Sequence, residues 1–441
     1  MDRDDILKVL ALGTENERPQ TAVLRQQALS LVSSAPSSED HDRVDDLPGR
    51  LLDLLTQIIK PLFTSTKHPQ LTSTGRKSLV PGPPPSIATA RFLAPLDDDE
   101  QEETQKPWKR TPFTVPLLKY VLKCCLVLPA SLRKSTLESH FHLLVPPILN
   151  MIDDASPQYK SEGCLLLHLL CTTLISVQSD TLRRTGLTEV FVDALKTNFL
   201  LLPTLTPEED SLLVLTELYP AYLALVDARF VKLQVAMAEG IDIATEKKAE
   251  AGGTWSMGED RMAREALLTK LYRHGIMASL SHLSSSTDSF SNTMSAPVTT
   301  FLLKQIPPVF RRMGIHAAKH LQTLLPMMRM GLMDPFVLAA PEMALAMLDV
   351  LDVVVETCKP RVKDKWWTEI LRGCVACWCN CLDEGQGTTS ETAATPLQEQ
   401  MKRVKALVKT LGDVLGKEEW EEGVKQKLLE EERDLNGLFE D

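Results

Sequence analysis

Apolar residues along this chain recur at helical spacing. Leu137, Phe141, Leu144, Val145, Ile148, Leu149 and Ile152 fall three and four apart, which places them on one face of an α-helix. Ser156-Pro157 follows as an N-cap with proline at the first helical position. Leu165, Leu166, Leu169, Leu170 and Leu174 carry the pattern into a second helix. Thr206-Pro207-Glu208-Glu209 and Thr395-Pro396-Leu397-Gln398 read as capping boxes. The second opens a stripe of Leu397, Met401, Val404, Leu407, Leu411 and Val414 that Gly416 closes. No run of alternating strand pattern competes, so the spacing predicts an all-α chain.

Several stretches interrupt the pattern. Residues 1–63 hold short helices, the clearest over Leu51–Ile59 and stopped before Pro61. Over 64–112 the composition shifts. Val80-Pro81-Gly82-Pro83-Pro84-Pro85 cannot hold a helix, and Asp97–Glu103 is an acidic run, so a disordered linker or long surface loop is expected. Further breaks fall at Glu239–Asp260 with Gly252-Gly253, at Ser284–Ser295 and at Asp383–Thr395. Loops of this length argue against one compact domain, whereas a solenoid places insertions on one face. The expected organisation is N-terminal helices over 1–63, the loop over 64–112, helical repeats over 113–382, and C-terminal helices over 383–441. The last of these carry Trp420, Val424, Leu428, Leu435 and Leu438 on a rough stripe, either capping the stack or docking a partner.

Composition narrows the classes. Leucine dominates a 44% hydrophobic fraction and aromatics are 5%, which favours helices over sheets. A net charge of -11 over 441 residues repels a phosphate backbone, which argues against a general nucleic-acid role. Nine irregularly spaced cysteines point to reduced thiols in cytosol or nucleus. The start Met-Asp-Arg-Asp-Asp lacks an apolar signal core, and the best membrane-length run, Phe336 to Val355, contains Glu342, Asp349 and Asp352. No membrane span is expected.

One spacing goes beyond amphipathicity. Pro146 precedes Asp154 by eight residues, and Asp154 precedes Lys160 by six. This resembles the HEAT repeat, in which a proline bends the first helix, an aspartate sits in the turn and a basic residue sits on the second helix. The aspartate can cap the second helix, and the basic side chain can join an acidic ladder between repeats. Pro326 precedes Asp334 at the same spacing, but Ala340 stands at the basic position. The expected fold is a HEAT/armadillo-like α-solenoid of antiparallel helix pairs with long loop insertions. A helical bundle with two incidental proline kinks is the alternative.

The block from His142 to Gly163, with its leucine run, also resembles the Tel-two-interacting-protein-two (Tti-two) family. The matching positions are Pro146, Pro147, Leu149, Asp153, Asp154, Lys160 and Gly163. The local match spans about thirty residues; elsewhere the likeness is one of order and composition. The resemblance implies a non-enzymatic scaffold of the cytoplasm and nucleus. It implies the TTT co-chaperone complex with Tel-two and Tti-one as partners, reaching the Hsp-ninety chaperone and its R2TP adaptor indirectly. It further implies support for folding, assembly and stability of phosphatidylinositol-three-kinase-related kinases, TOR and the DNA-damage checkpoint kinases among them. Other readings are a HEAT adaptor of a different assembly and a metal or redox protein.

That last reading rests on Cys374, Cys377, Cys379 and Cys381. On a helix, Cys379 lies about 140° around from Cys374, so four sulfurs cannot converge on one ion. Buried apolar cysteines are the favoured reading, ahead of redox-sensitive thiols and a metal. Trp366-Trp367 sits among Lys359, Arg361, Lys363, Lys365 and Arg372. One tryptophan is expected to pack and the other to be exposed, as core, as a protein-interface anchor or as a stacking platform. Trp366, Trp367 and Trp420 are the candidate partner-binding residues. Thr74-Gly75-Arg76-Lys77-Ser78 resembles the end of a phosphate loop, but lacks the first glycine and a preceding strand. His140 and His142 diverge by about 200° on a helix. No cofactor, metal or catalytic constellation is expected.

Overall fold

Leucine-rich runs at three-and-four spacing fold here as helices, several of which carry a proline inside them. In a computed structural model, the described residues are 2–12, 19–33, 46–64, 68–72, 75–78, 106–203, 205–239, 256–285, 295–387, 391–416 and 418–439. Among them every regular element is helical. The one β feature is an isolated antiparallel bridge between Leu71 and Lys77. The all-α expectation is met. The chain divides into two compact units: Met1–Leu201 with Glu209–Arg264, and Leu202–Glu208 with Glu265–Asp441.

In the first unit, α1 (Arg3–Ala11) packs on α2 (Pro19–Ser33) and on α4 (Thr114–Val127). Between them in sequence, α3 (Leu47–Asp53) runs on through π-helical turns over Leu54–Ile59, burying Leu54, Leu55, Ile58 and Ile59. The long α5 (Ala130–Ile152) forms a hairpin with α6 (Pro157–Ser176); α4 packs on α6, and α7 (Leu187–Asn198) on α5. All seven stripe residues of α5 read from the sequence are buried. The helix α8 (Glu208–Arg229) is long and apolar enough to cross a membrane by length and composition. Its apolar window is 61% buried, with Val214, Leu218, Tyr222 and Leu225 in the core, which is how a core helix passes the same test.

The hairpin of α5 and α6 depends on Gly163. A Cβ there would lie 2.7 Å from the backbone nitrogen of Ile152 and 2.9 Å from Met151 Cβ. Backbone meets backbone at this crossing, so only glycine fits.

The second unit contains α9 (Ala296–Met313), α10 (Leu321–Met333), α11 (Pro341–Thr357), α12 (Trp367–Gly387) and α13 (Glu391–Leu415). Its contacts alternate. α9 packs on α11 and α11 on α13, while α10 packs on α12; α10 also meets α11, and α12 meets α13. Arg403 on α13 ties onto α11 by donating to both Asp349 and Asp352. The helix α13 begins before the expected Thr395 cap, leaving Pro396 inside its second turn, where the missing N–H costs only the Thr392 carbonyl its donor. Gly416 closes it at φ +98. A π-helical turn over Glu419–Lys425 then leads into the short α14 (Gln426–Glu431) and α15 (Asn436–Phe439).

The segment expected as a loop over 64–112 is packed where it is described. His68, the Leu71–Lys77 bridge and a helical turn over Pro107–Arg110 all lie against helices of the first unit. The proline-rich and acidic runs within 79–105 lie outside the described residues, as do Gly252-Gly253.

His320 is 3% exposed in the second unit, its ring 4.4 Å from Tyr272 and 6.4 Å from Phe310. Its Nε2 has no hydrogen-bond partner. Burial, helped by Lys319 and Arg273, lowers its pKa from 6.5 to about 4. A base that titrates lower in the folded chain is fully compatible with folding above pH 6.5. Between 6.5 and about 4 the unfolded chain takes up a proton that the folded chain refuses, so stability falls as pH falls.

Gly163→Ala should lower the unfolding free energy by about 2 kcal/mol in denaturant melts. Gly331→Ala should be close to neutral, because its new Cβ would meet only the flexible Met347 terminus. His320→Phe should flatten the acid side of the stability profile, removing up to about 1.4 kcal/mol of slope per pH unit between 6.5 and 4. An unchanged slope would refute the assignment.

Candidate functional site

The residues read as repeat motif converge on one turn of the first unit. Asp154, 2% exposed, sits in the α5–α6 connection. Its Oδ1 accepts from the Ser156 N–H at 2.9 Å, which fastens the start of α6. Lys106 and Lys109 stand 3.2 and 3.0 Å from its two oxygens. The neighbouring Asp153, half-exposed, pairs with His68 at 2.9 Å. Both partner segments come from the ends of the 64–112 stretch, not from an adjacent repeat. Between the two lysines, Trp108 is buried, stacked on Phe63 at 5.3 Å and edge-on to Tyr159 at 5.0 Å. The Tyr159 hydroxyl donates to the Lys109 carbonyl at 3.3 Å.

Lys160 does not join an acidic ladder. Its ammonium donates to the Ile152 carbonyl at 3.2 Å and to Asn198 Oδ1 at 2.8 Å. Asn198 also donates to Ile152 O at 3.2 Å, so Lys160 closes the end of α5 and links it to α7. Burial lowers its pKa. The physical reason for the difference is competition: Lys106 and Lys109 already saturate Asp154.

Pro146 lies within α5, and its missing N–H leaves the His142 carbonyl without an intrahelical donor. Gly75 sits against that carbonyl. Its φ is +72, and a Cβ there would fall 2.2 Å from His142 O. The described part of the stretch resembling a phosphate loop, residues 75–78, is thus laid on α5, and Thr74 lies outside the described residues. His140 is buried and His142 exposed, on opposite sides as the helix angle requires. Pro326 lies inside α10. Asp334 is exposed and accepts from the Phe336 N–H at 3.0 Å, capping a short 3₁₀ turn over Pro335–Ala339 before α11 begins. The second Pro–Asp pair therefore has the cap without the buried ion pairs.

The three candidate tryptophans separate. Trp366 and Trp367 are both half-buried, rather than one packed and one exposed. Lys365 Nζ lies 4.8 Å over the Trp366 ring. Trp420 is a packing residue. It lies against Gly412, where a Cβ would fall 2.8 Å from Nε1, and meets Phe439 edge-on at 6.0 Å. At 7% exposure it offers little surface to a partner.

Trp367 instead lines a groove of about 610 Å³ among α10, α12 and the C-terminal turns. Leu371, Val375 and Ala376 of α12 form one wall, and Val424 and Leu428 the other. Met333 stands at its α10 end, half-exposed, next to Met330 at 66% and Phe336 at 83% exposure. Periodicity had marked Val424 and Leu428, but not that their stripe would leave a slot beside α12.

Cys374, Cys377 and Cys381 are buried in the stripe expected for α12, and Cys379 is half-buried on another side. Burial pushes the Cys374 thiol up, away from the thiolate a metal needs. Cys381 donates to the buried Gln400 Oε1 at 3.7 Å. Among the described residues no group of three His, Cys, Asp or Glu side chains is placed to hold a metal.

Asp154→Asn keeps the shape but leaves two lysines facing a neutral amide, and should cost about 3 kcal/mol of stability. Asp153→Asn, half-exposed and singly paired, should cost under about 1 kcal/mol. Equal effects in equilibrium denaturation would refute Asp154 as the hub.

No curated protein and no solved structure matches the chain. A family model does, described as the Tti2 family, over residues 6–339. That span takes in the whole α5–α6 hairpin, the Asp154 hub and α10, well over half of the sequence, and the chain belongs to the Tti2 family.

Proposed function

We propose that the chain is a non-enzymatic scaffold subunit of a TTT co-chaperone complex, binding Tel-two and Tti-one subunits directly. Through them it serves the Hsp-ninety and R2TP machinery and the folding, assembly and stability of phosphatidylinositol-three-kinase-related kinases, TOR and the DNA-damage checkpoint kinases included. Its place of work on this reading is cytoplasm and nucleus.

The observation that carries this is membership of the Tti2 family across residues 6–339. The packing fits a scaffold of HEAT/armadillo type. In the second unit, α9, α11 and α13 contact in sequence, as do α10 and α12, which is the alternation expected of stacked helical pairs. Work by binding rather than turnover also suits a hub whose charged groups are spent on one another: Asp154, Lys106 and Lys109 are paired internally.

The test is affinity purification of the tagged chain from its own cells, with quantitative mass spectrometry of both cytoplasmic and nuclear fractions. Tel-two-like and Tti-one-like subunits should be recovered near one-to-one. Their absence beside other abundant partners would discard the co-chaperone reading in favour of a different adaptor. A stoichiometric metal in the purified protein would favour the Cys374–Cys381 alternative.

A further inference from the structure

We propose that the groove between α12 and the C-terminal turns is a docking site for an acidic amphipathic helix of a partner protein. The inference deepens the scaffold reading and rests on it. It concerns a surface built largely by residues beyond the span that the family model matches.

The shape comes first. On α12, Trp367, Leu371 and Val375 stand at four-residue intervals along one wall. On the facing wall Val424 and Leu428 repeat the interval. Apolar stripes on both sides of an open slot leave room for the apolar face of a third helix. Leu371 is 5% exposed, deep in its wall, whereas Val375, Val424 and Leu428 are half-buried.

The charge then selects the occupant. Arg329, Arg372 and Lys427 line the groove, with Glu431 as the only carboxylate in the lining. Glu369 stands just behind, shared between Arg329 at 3.3 Å and Arg372 at 3.8 Å, so one carboxylate serves two guanidiniums. Three cations against one carboxylate make the lining itself basic on a chain of net charge -11, and the complement of that lining is a helix with acidic edges. Met330, Met333 and Phe336 extend the apolar surface at the α10 end, where such a helix would enter.

The experiment uses the full chain and two designed helical peptides. Both carry leucine at every third and fourth position; one has glutamate along its edges and the other lysine. By fluorescence anisotropy the glutamate-edged peptide should bind saturably and at least about tenfold more tightly, with affinity falling as salt rises. Leu428→Glu should weaken it about tenfold. Arg372→Glu with Lys427→Glu, both exposed side chains whose loss spares the core, should reverse the preference between the peptides. Circular dichroism melts confirm that each variant is folded. Absence of saturable binding, equal binding of the two peptides, or a charge-reversed variant with unchanged preference would overturn the proposal. So would a dimer of the free chain that Leu428→Glu dissociates, because the occupant would then be a second copy. Partner recovery from cells reads the scaffold function separately. Wild-type chain that recovers no Tel-two-like or Tti-one-like subunit fails that reading alone, and peptide failure with both subunits recovered fails the groove alone.

Discussion

The first unit is organised by a carboxylate that should not be comfortable where it is. Asp154 is almost wholly removed from water, and an ion there is stable only if both its oxygens find partners. Two ammonium groups and a backbone N–H supply them. The demand propagates. Lys106 and Lys109 can both reach Asp154 only if the chain turns as a helix between them, and that turn sets Trp108 into the slot between Phe63 and Tyr159. One buried charge thus fixes the register of a segment 48 residues away in sequence.

Much of the helical architecture was legible from spacing alone. The α5 stripe, proline at the first position of α6, the buried cysteine stripe of α12 and the Gly416 stop all follow from 3.6-residue periodicity and terminal chemistry. What escaped was long-range pairing. The proline–aspartate–lysine spacing is a local pattern, and it suggested that Lys160 would meet acid on a neighbour. Nothing local says that Lys106 and Lys109, beyond a proline-rich stretch, take the carboxylate first. The early start of α13 escaped for a related reason. A proline ahead of polar residues is a strong local stop, and only the packing of α13 on α11 and α12 carries the helix back past it.

The tryptophans show the same limit from the other side. Composition marked Trp366, Trp367 and Trp420 as equals. Gly412 gives Trp420 a seat that a larger residue would fill, and so commits it to the core. Trp367 has no such seat and stays at the edge of an open slot. The difference lies in what stands opposite each ring, which is a property of the tertiary arrangement.

The fastening of His68 to Asp153 and of Lys106 to Asp154 also changes what variation the chain can absorb. Both ends of the intervening stretch are pinned at one turn of α5 and α6. The entropy of closing a flexible loop grows only with the logarithm of its length, about 0.6 kcal/mol for each doubling. A buried, doubly paired carboxylate outweighs several doublings. The spacing around the pins, and around Gly75 where it lies on α5 between them, is therefore fixed, whereas the length of chain joining Ser78 to Lys106 bears little on the register of the fold.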